Sequence, residues 1–175
     1  RVKIYKLRKY NSLKKIKIDT QKILLFLKKN NINFRSIGGY YPSNREIDDL
    51  EILNIFRKKN ISISLPIIRA NNQMDFFKWS IEDPLKINKY GIPEPSLQKK
   101  MEPDVVIVPI VAFDKLKFRI GYGGGYYDRY LERMSKKKKF MTIGIAFSFQ
   151  KINKVPINRY DRKLDLILTE KSYIK

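Results

Sequence analysis

The chain contains neither cysteine nor histidine. Without cysteine there is no disulfide, no thiol nucleophile and no thiolate metal site. Without histidine, Ser-His-Asp chemistry, an imidazole general acid and nearly every zinc site drop out as well. Catalysis, if there is any, is left to carboxylates, Lys/Arg, tyrosine, backbone amides and a hard cation held by oxygen. Long apolar runs are missing too. The stretches ILLFL and VVIVPIVAF fall far short of the roughly 20 residues that a bilayer-spanning helix needs. No secretory apolar segment follows the basic N-terminus. The chain begins at Arg1, which reads as a partial or processed product, and a cytoplasmic location is the expectation.

At 175 residues, 43% hydrophobic and 13% aromatic, the composition is that of one globular domain over residues 1–175 with one good core. No internal repeat or linker-like segment divides it. The net charge of +21 invites a nucleic-acid reading. Lysine, isoleucine and asparagine are abundant throughout, however, as A/T-rich codon usage produces. The positive charge is smeared along the chain, with one dense run at Lys136–Lys139. A solvated basic surface that draws in polyanionic substrates is the better reading, with no nucleic-acid or membrane partner and a monomeric state expected.

Glycine is scarce, eight residues in all, yet four of them, Gly121, Gly123, Gly124 and Gly125, fall within RIGYGGGYYDRYL, Arg119–Leu131. Glycine is concentrated where backbone takes positive φ or where something approaches the main chain closely. Successive free N–H groups in such a loop form an anion nest, a natural seat for phosphate. Tyr126, Tyr127, Tyr130 and Leu131 follow with helical spacing, so the loop opens a helix whose dipole also favours negative charge. The block is no Walker A loop, since no Gly-Lys-Ser/Thr follows. It is no dinucleotide fingerprint, since Tyr126 stands where the last glycine would be. A plain strand-to-helix turn is the competing reading. For Asp128 the competing reading is a helix N-cap.

Elsewhere the pattern alternates strands and helices. Residues 1–18 read as a basic helix with Ile4, Leu7, Leu13 and Ile16 as its apolar stripe. Asp19 or Thr20 caps a second helix through Lys29, with Ile23, Leu24 and Leu27 inward. Phe34–Tyr41 reads as a strand, turned by Pro42-Ser43-Asn44. Glu46, Ile47 and Asp48 open a helix that carries Ile52, Leu53 and Phe56 and ends near Asn60. Asp48 and Asp49 read as dipole-complementing surface carboxylates. Ile61–Leu65 is a strand closed by Pro66, Met74–Trp79 is a further extended piece, and Tyr90–Pro95 is a rigid loop by its prolines. Asp104–Val108 is a β-branched run expected to be buried on both faces. Phe140–Phe147 and Leu164–Leu168 complete the strands, with Asp161 in a polar turn before the last. The sum is an α/β, single-domain, three-layer fold with a mostly parallel central sheet and helices on both faces.

The segment PDVVIVPIVAFDKLKFRIGYGGGYYDRYL resembles the signature of the 5-formyltetrahydrofolate cyclo-ligase family, also called methenyltetrahydrofolate synthetases. A buried strand, Pro, Ala-Phe-Asp, a short turn, Arg, and Gly-x-Gly-x-Gly-Tyr-Tyr-Asp occur in order. YYPSNREID, SLPII, MDFFKW, YGIPEP, IGIAFSFQ and YDRKLDLILTE match further family features, so the likeness runs from about Ile37 to Glu170.

The resemblance implies an ATP- and Mg²⁺-dependent closure of 5-formyltetrahydrofolate to 5,10-methenyltetrahydrofolate, with release of ADP and phosphate. It implies Arg119 and Tyr126 as catalytic residues. ATP would lie on Arg119, Ile120, Gly121, Tyr122, Gly123, Gly124, Gly125, Tyr126 and Tyr127. The folate would lie against Tyr41, Glu46, Tyr122, Gly123, Gly124, Gly125 and Tyr126, with Glu46 on the amino-pyrimidine ring, a task suited to a carboxylate that accepts two parallel N–H bonds. Asp128 and Asp161 match the magnesium carboxylates. In the family an N-terminal Lys-x-x-Leu-Arg contacts ATP. Leu7-Arg8 matches its end, with Ile4 at the lysine position, while an alignment on YNSL would put that motif before Arg1 and leave Arg8 a helix-surface arginine. Tyr90 reads equally as a folate-stacking ring or as packing. A non-catalytic or decayed member of the fold that binds folate or nucleic acid is the alternative.

Overall fold

The computed structural model describes residues 1–11, 18–96 and 99–175. Leu13 and Ile16 of the expected first-helix stripe lie outside them. Helix α1 spans Val2–Asn11 and α2 spans Thr20–Lys29, with Asp19 as the N-cap whose side chain accepts from Gln21 N at 2.9 Å. Strand β1 is Ser36–Gly38, α3 is Leu50–Arg57, β2 is Ser62–Ile68 and β3 is Met74–Lys78. The hairpin β4 (Leu85–Ile87) and β5 (Pro93–Pro95) follows, then β6 (Lys100–Met101) and β7 (Val105–Pro109). A second hairpin, β8 (Ala112–Phe113) and β9 (Arg119–Ile120), leads into α4 (Tyr126–Ser135). Strands β10 (Met141–Ile145), β11 (Leu166–Leu168) and β12 (Tyr173–Ile174) end the described chain.

Eight strands form one sheet in the order β12-β11-β10-β7-β1-β2-β3-β6. The four inner pairings, β11 with β10, β10 with β7, β7 with β1 and β1 with β2, are parallel, and the flanking pairs are antiparallel. The sheet is therefore mostly parallel, as the alternating pattern predicts. Strand β7 lies at its centre, and Val105, Val106, Ile107 and Val108 are all fully buried. Successive side chains alternate between faces. Val105 and Ile107 pack with Ile23 and Leu27 of α2 and with Ile52, Leu53 and Phe56 of α3. Val106 and Val108 pack with Tyr130, Leu131 and Met134 of α4. Helices thus cover both faces.

Several expected boundaries move for local reasons. Strand β2 runs through Pro66 to Ile68 instead of stopping before it. Pro66 shares the side of Ser62, which donates to Arg35 O, and β1 has ended by then, so the missing N–H faces no partner. Helix α3 starts at Leu50, four residues after Glu46. Ser43 N and Oγ donate to Glu46 Oε2 at 2.7 and 3.2 Å, closing a turn in place of a first helical turn. Asp49, expected on the surface, is fully buried and accepts from Tyr40 N at 2.8 Å. A Cβ on Gly39 would come within 2.4 Å of Asp49 Oδ2, so only glycine admits this approach. The basic run at 136–139 is less free than expected. Lys136 pairs with Glu132, Lys137 with Glu102, and Lys138 with Asp104 at 2.6 Å.

Candidate active site

The parallel strands deliver their C-terminal ends to one side of the sheet, where ligands of open α/β folds lie. Three segments meet there: the 39–49 turn after β1, the hairpin β8–β9 with the glycine block, and α1. Asp114 makes the hairpin. Its buried carboxylate accepts from Leu116 N and Phe118 N through Oδ1 and from Val155 N through Oδ2. That turn hands Arg119 to the base of the block.

Within the block, Gly123 has φ 105° and Gly125 has φ 64°, left-handed conformations that side-chain-bearing residues rarely take. Gly125 occupies the N-cap position of α4, which begins at Tyr126. Asp128 is therefore the third residue of the helix and not its cap. Its Oδ1 instead accepts from Arg119 Nη1 at 2.8 Å. Arg129 turns back over the block and donates to Gly124 O and, through Nε at 3.0 Å, to Asn72 O. Among the described residues no acceptor meets the main-chain N–H groups of Gly121–Asp128. These open donors, ahead of a ten-residue helix, are the kind of feature an anion seat requires.

Tyr122 lies between this seat and the turn that carries Glu46. Its hydroxyl accepts from Arg8 Nη1 at 2.6 Å, and the same nitrogen donates to Asn44 O at 3.4 Å. Burial pushes the Glu46 carboxyl up from its ordinary range. The Tyr122 hydroxyl, Ser43 and the nearby Arg8 charge pull the other way. Burial and the Glu46 charge push the Tyr122 hydroxyl upward, so it stays a proton donor. Helix α1 crosses the block with one face. Arg1 Nε donates to Gly121 O at 3.0 Å, Tyr5 stacks on Tyr122 at 6.2 Å between centroids, and Arg8 follows.

The remaining predicted residues fall at varied distances from this centre. Tyr126 reaches Tyr90 Oη at 2.7 Å and Asn72 Oδ1 at 3.2 Å, which pins the block to the 88–92 and 71–73 turns. Tyr127 is tucked beneath, its hydroxyl buried without a partner among the described residues. The Ile120 side chain packs towards Ile4, Val111 and Ala112, away from the anion seat. Tyr41 is half-buried against the α2–α3 core. Asp161 holds its own turn through Asn158 N at 2.7 Å. Its neighbour Arg162 pairs with Glu132, one turn beyond Asp128 on α4, and Leu164 N donates to Lys117 O. These ties bring the Asp161 turn to the flank of the block. Sequence reasoning missed Asn72 and Ser43, and with them the buried role of Asp49. A lone Asn or Ser in a turn carries no signal of the long-range partner it will meet.

The donor chemistry suits a hard divalent cation. Asp128 and Asp161 present carboxylate oxygens, each with one oxygen engaged by a protein donor. No group of three or more acidic side chains gathers among the described residues, so such a cation would complete its shell with phosphate and water oxygens.

Known proteins resemble this chain in sequence and in fold. A model described as the 5-formyltetrahydrofolate cyclo-ligase family matches residues 6–170. A 5-formyltetrahydrofolate cyclo-ligase of Mycoplasma genitalium is 32% identical over 162 residues, covering 90% of this chain and 87% of that one. One of Haemophilus influenzae is 30% identical over 141 residues, covering 77% and 75%. Among solved structures, the NMR structure of Aquifex aeolicus 5,10-methenyltetrahydrofolate synthetase has a TM-score of 0.69 at 28% identity, covering 97% of this chain and 91% of that chain. A 5,10-methenyltetrahydrofolate synthetase from Mycoplasma pneumoniae has a TM-score of 0.65 at 25% identity, covering 95% and 98%. With the glycine block, the half-buried Glu46 and the mostly parallel sheet already in place, these matches decide the family: the chain belongs to the 5-formyltetrahydrofolate cyclo-ligase family.

Proposed function

We propose that residues 1–175 act as one catalytic unit that converts 5-formyltetrahydrofolate and ATP to 5,10-methenyltetrahydrofolate, ADP and phosphate, with Mg²⁺, in the cytoplasm. The observation that carries this reading is Tyr122, a side chain of the open glycine block that is joined through Arg8 to the turn holding the half-buried Glu46 carboxylate. A ligand with a hydrogen-bonding ring at one end and a reacting group beside a triphosphate fits across it.

Glu46 accepts two parallel N–H bonds from the amino-pyrimidine of the pterin, a charge-assisted pair in a water-poor recess. The open N–H groups of the glycine block and the N-terminus of α4 take the phosphates. The formyl oxygen attacks the γ-phosphorus and ADP leaves, so no histidine or cysteine base is needed. The neighbouring folate nitrogen then attacks the formyl carbon and phosphate departs as the ring closes. Phosphoryl transfer needs mainly alignment and charge neutralisation. Arg119, Arg8 and Arg129 supply fixed positive charge around the block, and Tyr126 closes its mouth with Tyr90. Asp128 and Asp161 would hold Mg²⁺, which would supply positive charge against the charge that develops on the transferring group.

The test is methenyl product formation with and without ATP and Mg²⁺. Turnover that needs both is expected, and an equal rate without nucleotide overturns the assignment.

A further inference from the structure

Residues 70–73 are the tip of the hairpin between β2 and β3. Arg69 N donates to Gln73 O at 2.8 Å and Gln73 N to Ala70 O at 3.1 Å. Asn71 and Asn72 have φ of 53° and 55°, the backbone of a tight two-residue hairpin turn in which asparagine is favoured. The Asn72 carbonyl is therefore a fixed acceptor, and Arg129 takes it with two donors, Nε at 3.0 Å and Nη2 at 2.9 Å. Nη2 also donates to Gly124 O, which no main-chain N–H of the described residues reaches. The guanidinium lies over the Tyr126 ring, 5.7 Å from its centroid, and a Cβ on Gly125 would stand 2.9 Å from Nη1. One planar fork thus bridges a rigid hairpin tip and the middle of the glycine block.

What that grip does follows from peptide geometry. The Gly124–Gly125 peptide is trans and planar, so its C=O and N–H point in opposite directions. With Gly124 O turned to the guanidinium, the Gly125 N–H is turned away from it, and no acceptor among the described residues meets that N–H. Glycine on both sides of this peptide leaves it many orientations unless something holds it. We infer that Arg129 is a positioning residue for the nucleotide, which fixes the Gly124–Gly125 peptide so that the Gly125 N–H stays aimed at phosphate. This rests on the reading that the block seats the phosphates of ATP. It deepens that reading, since Arg129 acts through the backbone and not as a bare charge. Arg133, one turn further along α4, supplies the contrast. It donates to Gln73 Oε1 at 2.6 Å, Met74 O at 2.7 Å and Asp75 Oδ1 at 2.6 Å, tying α4 to the same hairpin at a distance from Gly124.

The experiment measures ATP binding by calorimetry and the ATP-induced shift of the assigned Gly125 amide in ¹⁵N-glycine-labelled protein, which has only eight glycines. It compares the wild type, Arg129→Lys and Arg133→Lys, each with a thermal melt. Arg129→Lys keeps the charge but loses the fork that spans two carbonyls. It should weaken ATP about tenfold or more, as loss of one hydrogen bond to a charged group does, and lose most of the Gly125 shift. Binding of 5-formyltetrahydrofolate alone should hold. Arg133→Lys should lower the melting temperature and leave ATP affinity and the Gly125 shift as in the wild type. Undiminished ATP affinity and Gly125 shift in folded Arg129→Lys overturn the inference and leave that residue a charge alone. Equal losses of ATP affinity in the two arginine variants overturn it as well, and mark both as clamps on α4. A wild type whose Gly125 amide ignores ATP overturns the phosphate reading of the block, and this inference with it.

Discussion

Arg119 Nη1 lies 2.8 Å from Asp128 Oδ1, a pair that straddles the entire glycine block. The arginine side chain is only 4% exposed and its Nε has no partner among the described residues. The loop is therefore held at both ends by one ion pair, with its open N–H groups between. The same pair places a fixed positive charge and an acidic oxygen at the base of the block, where the proposed reading seats the phosphates.

Glu46→Gln separates recognition from stability. The amide keeps the shape but cannot accept two charge-assisted bonds, so folate affinity should fall by roughly 1.5–3 kcal/mol while ATP affinity barely changes. Melting at neutral pH should hold or rise. The sign follows from burial, which raises the folded carboxyl value, so the ionised form opposes folding above it and a neutral side chain removes that opposition. Calorimetry and a thermal melt check both. Unaltered folate binding would count against the role of Glu46.

The glycines of the block divide into two kinds. Gly125 has φ 64°, and a Cβ there would stand 2.9 Å from Arg129 Nη1. Gly125→Ala should cost about 1–2 kcal/mol, seen as a lower melting temperature. A Cβ on Gly121 meets nothing within 4 Å, so Gly121→Ala should fold normally. If the bare backbone at 121 is there for phosphate approach, that variant loses ATP affinity while keeping its melt. Normal ATP affinity in both variants would detach the block from the nucleotide.

The basic run supplies a stability test. Asp104 accepts from Arg35 N, Ser36 N, Ser36 Oγ and Lys138 Nζ, which ties the start of β1 to the chain after α4. Partial burial would raise its carboxyl, but those donors prevail and hold it below the usual carboxylate range. A depressed folded value contributes stability above about pH 4 that disappears as pH falls through it. Asp104→Asn should therefore melt lower than the wild type from pH 5 to 8, and the two curves should converge in acid. Lys138→Gln should cost up to about 1 kcal/mol, or about 2–4 °C, and Lys136→Gln nothing measurable. Equal melts for the two lysine variants would show that the Lys138 pair carries no weight.

Where the sequence succeeded, the signal was local. The β-branched run made β7, Asp19 capped α2, and the glycine block opened α4. What it concealed was long-range. Nothing in NNQMD says that Asn72 will meet Tyr126 and Arg129, because those partners arrive more than fifty residues later. Asp48 and Asp49 are adjacent and chemically alike, yet one is exposed and the other fully buried, since only the tertiary approach of Gly39 creates the recess. The short hairpins β4–β5 and β8–β9 carry too few residues for a period to register.

The relation between Arg119 and Asp128 also sets the sharpest test. Because Gly125 holds the N-cap position, Asp128 is free of capping duty, and Asp128→Asn removes charge without removing a cap. The amide oxygen can still accept from Arg119 Nη1, so the loop should stay closed and melting should shift little. What disappears is the anionic oxygen that would hold Mg²⁺ and that keeps Arg119 electrostatically balanced. By analogy with the removal of one preorganised group, turnover should drop about 10²–10³-fold, or roughly 2.7–4 kcal/mol. On the proposed reading the loss should fall on turnover and on the Mg²⁺ concentration needed, because Glu46 would hold the pterin end and backbone N–H groups the phosphate end. Asp161→Asn should act in the same direction if both carboxylates serve one cation, and the double variant should then cost less than the sum of the two. A purely structural Arg119–Asp128 pair predicts a different pattern, a lower melting temperature with near-normal turnover and no change in Mg²⁺ requirement. Normal Mg²⁺-dependent turnover in a folded Asp128→Asn variant would rule out the metal role.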